Sequence, residues 1–179
     1  MSYGTLDPQQ KKALRPFIKG KVLHDLGAGD LELAKVLLTL GAEHIHAYDK
    51  LPKPKNLPEK VTYQRGYFHE LRGPFPVIFL SWPVNYPSVE LTIQASLCEE
   101  MLIYLGKNTD GAACGQPNLF RVMTQRELLA YVPTRANTLI VTGRFLPEGQ
   151  TRPPTPEEAA GLGAYTSGIL AYENIECSP

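Results

Sequence analysis

Asp25, Gly27, Gly29 and Asp49 are the residues of this chain whose types and spacing could act together chemically. The stretch Val22-Leu23-His24-Asp25-Leu26-Gly27-Ala28-Gly29-Asp30 reads as a short apolar strand that ends in an acid and turns through glycines directly into a helix. After that helix a second strand, His44-Ile45-His46-Ala47-Tyr48, ends in a second acid, Asp49. Open α/β sheets hold nucleosides at the carboxyl ends of neighbouring parallel strands, which is where these acids would fall. Gly27 and Gly29 allow a sharp turn with no Cβ between backbone and ligand. Asp49 can accept hydrogen bonds from both hydroxyls of a ribose. Asp25, ahead of the glycines, selects the ligand's charge. It would repel a pyrophosphate, which wants an uncharged turn on the helix N-terminus. It would suit a cofactor carrying an ammonium and a sulfonium.

This pattern resembles the first nucleotide-binding motif of the class I S-adenosylmethionine-dependent methyltransferases. Asp25-Leu26-Gly27-Ala28-Gly29-Asp30 matches its D-x-G-x-G core, and Asp49 matches the acid that closes the second strand. Leu31 stands where many members have a third glycine, so this turn is less permissive. The resemblance spans Val22 to Asp49 and thins beyond. It implies S-adenosylmethionine as cofactor, contacted by Asp25, Gly27, Ala28, Gly29, Asp30 and Asp49. Asp30 can equally be a helix-start charge that favours the helix dipole. Gly66-Tyr67-Phe68 follows the third strand, where the family often sets an acid or small polar residue against adenine. Tyr67 and Phe68 take that place here, and Tyr67 could stack on the base or pack in the core. Ser81-Trp82-Pro83-Val84-Asn85-Tyr86 follows the fourth strand, whose end faces the transferred methyl in this fold. It is distantly similar to the N/D/S-P-P-Y motif of amino-methylating enzymes, with Trp82 replacing the first proline and Val84 in the aromatic position. Ser81, Trp82 and Asn85 are therefore the candidate catalytic residues. Their plain alternative is a rigid proline loop around the chain's one tryptophan.

Other reactive side chains are less organised. His44 and His46 alternate on a strand and share a face, but spacing supplies no third metal ligand, so solvent-facing or core histidines are expected. His24 is expected to pack under the motif, and His69 has no assigned role. Cys98, Cys114 and Cys177 are odd in number and form no C-x-x-C pair, which suggests neither a zinc site nor a disulfide framework. Reduced cytoplasmic thiols are the reading. Lys50, Lys53, Lys55, Lys60 and Arg65 make a basic stretch, read as a solvated loop with nucleic-acid contact as the lesser alternative. Lys plus Arg and Asp plus Glu both number 18 in 179 residues, so net charge gives no general pull on nucleic acid or anionic membrane. No apolar signal core or membrane-length segment is visible, and the expectation is one cytoplasmic domain over residues 1–179 with no membrane partner.

The elements that must position these residues alternate. Asp7-Pro8-Gln9-Gln10 starts a helix with a capping box, fading near Arg15-Pro16. Lys21–His24 is the first strand, Leu31–Leu40 a helix with one apolar face, and Ile45–Tyr48 the second strand. Pro52, Pro54 and Pro58 exclude a regular helix from the next crossover. Val61–Gln64, Val77–Leu80 and Met101–Leu105 read as further strands, with a helix from Ser88 to about Cys98 and a turn at Thr109-Asp110-Gly111. Thr124-x-x-Glu127 is a capping box that predicts a helix to Val132. Leu139–Thr142 and Gly168–Tyr172 are late strands. Alternation makes the chain α/β. The resemblance implies a Rossmann-like, mostly parallel sheet flanked by helices and closed by an antiparallel strand pair.

The functional expectation is methyl transfer to an acceptor that is a small molecule, a protein side chain or a nucleic-acid base. In-line displacement from a sulfonium needs alignment and water exclusion rather than a nucleophile triad or metal. A cofactor-binding module without catalysis is the alternative. A nicotinamide-dependent enzyme is the third reading, disfavoured by Asp25 and the missing third glycine.

Overall fold

Residues 5–67, 70–83, 89–107 and 117–163 are described by the computed structural model. Asp7 accepts the Gln10 amide at 2.8 Å, the Gln10 side chain accepts the Asp7 amide at 3.2 Å, and together they open α1 (Pro8–Ile18). The helix does not fade at Pro16 but runs through it to Ile18. Proline removes one backbone donor near the helix end, and full burial of Leu14 and Ile18 holds the last turn to the sheet.

Among the described residues seven strands follow: β1 (Val22–Leu26), β2 (His44–Asp49), β3 (Val61–Arg65), β4 (Phe75–Ser81), β5 (Cys98–Gly106), β6 (Arg126–Pro133) and β7 (Thr138–Phe145). They lie in the order β3-β2-β1-β4-β5-β7-β6. β1 to β5 are mutually parallel, and β7 runs antiparallel to both β5 and β6. Helices α2 (Glu32–Thr39), α3 (Val89–Ser96) and α4 (Pro117–Thr124) join α1 on the flanks. Strand alternation divides the core. Leu23, Ile45, Phe79 and Ile103 pack with the apolar faces of α1 and α2, while Leu26, Ile78, Leu80 and Tyr104 pack with those of α3 and α4. This is the expected α/β architecture with an antiparallel close. The strand order reverses between β1 and β4, so the crevice of such a sheet falls at their carboxyl ends.

Three local expectations need correction. Cys98 begins β5 instead of ending α3. The Thr124/Glu127 signature does not start a helix: Thr124 ends α4, its Oγ1 donating to the Arg121 carbonyl at 2.9 Å, and Arg126–Pro133 is strand β6. Pairing of β6 with β7 overrides the local helix signal, closed by a loop in which the Thr134 amide donates to the Asn137 carbonyl at 2.8 Å. The antiparallel pair is therefore built from 126–133 and 138–145, and the expected strand Gly168–Tyr172 lies outside the described residues. So do Ser88 and Thr109-Asp110-Gly111. The proline-bearing passage from Lys50 to Lys60 holds no helix, as its sequence predicts. Among the described residues no helix is long and apolar enough to cross a membrane.

Candidate functional site

Parallel registry brings the two acids together. Leu26 pairs with Tyr48, one residue before Asp49. The Gly27 and Ala28 amides both donate to the Tyr48 carbonyl, at 2.8 and 3.2 Å, which folds the glycine turn over the end of β2. Asp49 is buried; its Oδ2 accepts the Gly29 amide at 2.8 Å and its Oδ1 the Leu51 amide at 2.9 Å. Each oxygen keeps a further lone pair, so the carboxylate is fixed in place but not used up. Gly27 (φ 92°) and Gly29 (φ 54°) occupy the left-handed region that glycine enters without strain. A Cβ on Gly29 would meet no heavy atom within 4 Å, so the turn faces open space.

Asp25 ends up 1% exposed beneath that turn, and its Oδ1 has no hydrogen-bond partner. Burial, and then the neighbouring Asp49 carboxylate, push its pKa up to about 7. A buried acid with one unpartnered oxygen and a second carboxylate close by is the site's most unusual group, and nothing in its local sequence announces that state. Asp30 is exposed and accepts the Glu32 amide at 3.1 Å, a helix-start contact. Leu31, at the place of the family's third glycine, is also left-handed (φ 66°) and fully buried.

At the end of neighbouring β4, Leu80 pairs with Leu26, so Ser81 and Trp82 follow directly alongside the glycine turn. Trp82 is left-handed (φ 46°) and its amide donates to the Leu105 carbonyl at 2.7 Å, extending the ladder between β4 and β5 by one residue. Its indole packs against the core on the side of α3 and α4, where its buried Nε1 has no partner. Asn85 and Phe68 lie outside the described residues. Tyr67 is 60% exposed, which rules out the core-packing alternative, and its amide donates to Glu70 Oε2 at 2.8 Å. Glu70 went unmarked in sequence. Its carboxylate would stand 2.6 Å from a Cβ at position 66, a contact that the flexible Glu70 side chain can relieve by moving.

His24, His44 and His46 lie on the opposite face of the sheet from Asp25, and His69 lies outside the described residues. His24 stacks on His46 at 4.9 Å between ring centres and lies 3.2 Å from the Tyr48 hydroxyl through Nδ1, so its contacts run to β2 and to Phe75 of β4. Burial and His46 lower its pKa to about 4. Among the described residues no three His, Cys, Asp or Glu side chains are grouped to hold a metal ion.

Neither a protein-family model nor a curated protein matches the chain. Solved structures do. The 1,6-didemethyltoxoflavin-N1-methyltransferase of Burkholderia thailandensis, with bound 1,6-didemethyltoxoflavin and S-adenosylhomocysteine, is 13% identical, covers 81% of this chain and 80% of its own, and has a TM-score of 0.59. The ribosomal protein L11 methylase of Lactobacillus delbrueckii subsp. bulgaricus is 15% identical over 77% of this chain and 79% of its own, with a TM-score of 0.55. The magnesium protoporphyrin IX methyltransferase of Synechocystis PCC 6803, with bound S-adenosylmethionine, is 15% identical over 76% and 78%, with a TM-score of 0.54. Strand order, the antiparallel close and these likenesses together show that the chain has the class I S-adenosylmethionine-dependent methyltransferase fold.

Proposed function

We propose that this chain binds S-adenosylmethionine at the Asp25–Asp49 crevice and transfers its methyl group to an acceptor held at the end of β4. The observation that carries the reading is the buried Asp25, its Oδ1 without a hydrogen-bond partner, ahead of an open glycine turn, with Asp49 fixed nearby. Bound there, S-adenosylmethionine would supply a methyl group activated on a sulfonium. The chain's own part is placement. The free lone pairs of Asp49 suit the ribose hydroxyls, and the backbone of Gly27, Ala28 and Gly29 gives the cofactor close approach. Asp25 supplies negative charge for a cation. Asp30, already engaged at the helix start, would act at the margin, and Tyr67 and Phe68 would border adenine. Ser81, Trp82 and Asn85 would orient the acceptor and exclude water, which is most of what such a displacement requires. The three similar enzymes named above are described with a heteroaromatic small molecule, a porphyrin and a ribosomal protein, so the fold leaves the acceptor open.

Calorimetric titration with S-adenosylmethionine tests the reading. Asp49→Ala removes charge-assisted hydrogen bonds worth about 1.5–3 kcal/mol each and should weaken binding at least about tenfold in a variant that keeps its circular dichroism spectrum. Undiminished affinity in a folded variant would remove Asp49 from the site. The core-packed indole of Trp82 favours one second reading, a module that binds the cofactor without transferring methyl. Cofactor binding with no labelled methyl passed to any acceptor pool would support it.

A further inference from the structure

We infer that Asp25 gives up a proton when the cationic cofactor binds, so that pH sets the affinity of the site; this rests on the cofactor reading above. The free chain offers an ionised Asp25 very little. It is 1% exposed, and its Oδ1 has no hydrogen bond. Its strand partners are Ala47 on β2 and Phe79 on β4. The helices over that face present Leu14 and Ile18 from α1 and Leu33 and Leu37 from α2, none of them charged. Among the described residues the charged group that faces it is Asp49, of the same sign, and the Gly29 and Leu51 amides near the site are already given to Asp49. An ionised carboxylate that is buried, with one oxygen lacking any donor and a second carboxylate beside it, is costly, so the free protein keeps Asp25 as the neutral acid until pH approaches 7.

A cation brought to the turn after Asp25 reverses that balance. Its attraction favours the ionised carboxylate, the O–H bond breaks, and the proton leaves to solvent while the electron pair stays on the carboxylate. Close to one proton is released per cofactor bound at pH values between the lowered pKa of the complex and the free pKa, and none well above the free value. Affinity should then rise towards tenfold per pH unit below about pH 6 and level off through about pH 7. The cofactor's own amine, which titrates near 7.7–8.0 in model compounds, stays protonated over most of that range and does not produce the slope.

The experiment is titration calorimetry of the full chain across this pH range, in two buffers of different ionisation enthalpy. S-adenosylmethionine is the first probe. 5′-Methylthioadenosine, which lacks both ammonium and sulfonium, is the second. The expected result is proton release and a pH slope with S-adenosylmethionine, and a flat affinity with 5′-methylthioadenosine. Asp25→Asn should bind S-adenosylmethionine more weakly and without the slope. S-adenosylmethionine binding that is flat with pH and releases no proton overturns the inference and leaves the cofactor reading standing. So does an equal slope with the uncharged probe, or a slope that persists in a folded Asp25→Asn variant. Should that variant fail to fold, the proton count on the native chain still decides. Absence of binding by both probes at every pH would instead sink the cofactor reading itself.

Discussion

Leu31 is held left-handed at φ 66° while its side chain is fully buried, so backbone and packing pull in opposite directions at one residue. The left-handed conformation costs a side-chain-bearing residue about 1–2 kcal/mol that glycine avoids. Emptying a buried leucine site costs about 2–5 kcal/mol. Leu31→Ala carries both penalties, whereas Leu31→Gly carries only the second. We expect Leu31→Gly to be more stable than Leu31→Ala by roughly 1 kcal/mol, read from urea unfolding midpoints. The opposite ranking would mean that residue 31 is not left-handed in solution. At this scale the glycines and acids of the motif were legible in sequence, because a glycine turn between strand and helix is a local device. The isolation of Asp25 was not, because it depends on where the Gly29 and Leu51 amides go.

Among the elements, β6 shows how a local signature can mislead. Thr124 and Glu127 have capping-box spacing, yet the residue that governs this segment is Arg126 between them. It is fully buried, donates from Nε to the Gly143 carbonyl at 2.8 Å and from Nη1 to the Cys98 carbonyl at 2.9 Å, and lies 4.3 Å from the centre of the Phe145 ring. These contacts reach to β5 and β7, so no window on the local sequence contains them. Arg126→Met would leave two interior carbonyls without a donor and should lose about 2–4 kcal/mol of unfolding free energy. Glu127→Ala, at an exposed strand position, should stay within about 0.5 kcal/mol of the parent. A large loss from Glu127→Ala would restore the capping role. By contrast the α1 cap, the continuous apolar run of β4 and the proline passage were readable from sequence, since each is fixed by residues within a few positions of itself.

For the molecule as a whole, buried Asp25 and half-buried His24 set opposing pH dependences. Asp25, raised to about 7, contributes stability at acid pH that is lost as pH rises towards 7. His24, lowered to about 4, contributes stability present above its unfolded value of 6.5 and lost as pH falls towards 4. Between these limits the two trends oppose each other in the free protein. Asp25→Asn leaves the His24 trend alone, so the variant's melting temperature should fall more steeply than the parent's between about pH 6.5 and about pH 4.5. Parallel slopes in thermal melts would show that Asp25 does not titrate as a buried acid.

Pro52, Pro54 and Pro58 return the chain from β2 to β3 without a helix, and β3 forms one border of the sheet. The Tyr63 hydroxyl donates to the Leu51 carbonyl at 2.9 Å and Arg65 Nε to the Lys50 carbonyl at 3.2 Å, which fasten the returning strand to the start of the passage. A bare sheet border can recruit a strand from another molecule and seed aggregation. Here that border is a five-residue strand with exposed Thr62, Gln64 and Arg65, flanked by Lys60 and by a stiff proline passage. Short length, charge and stiffness make it a poor template, so this margin resists self-association by its own composition.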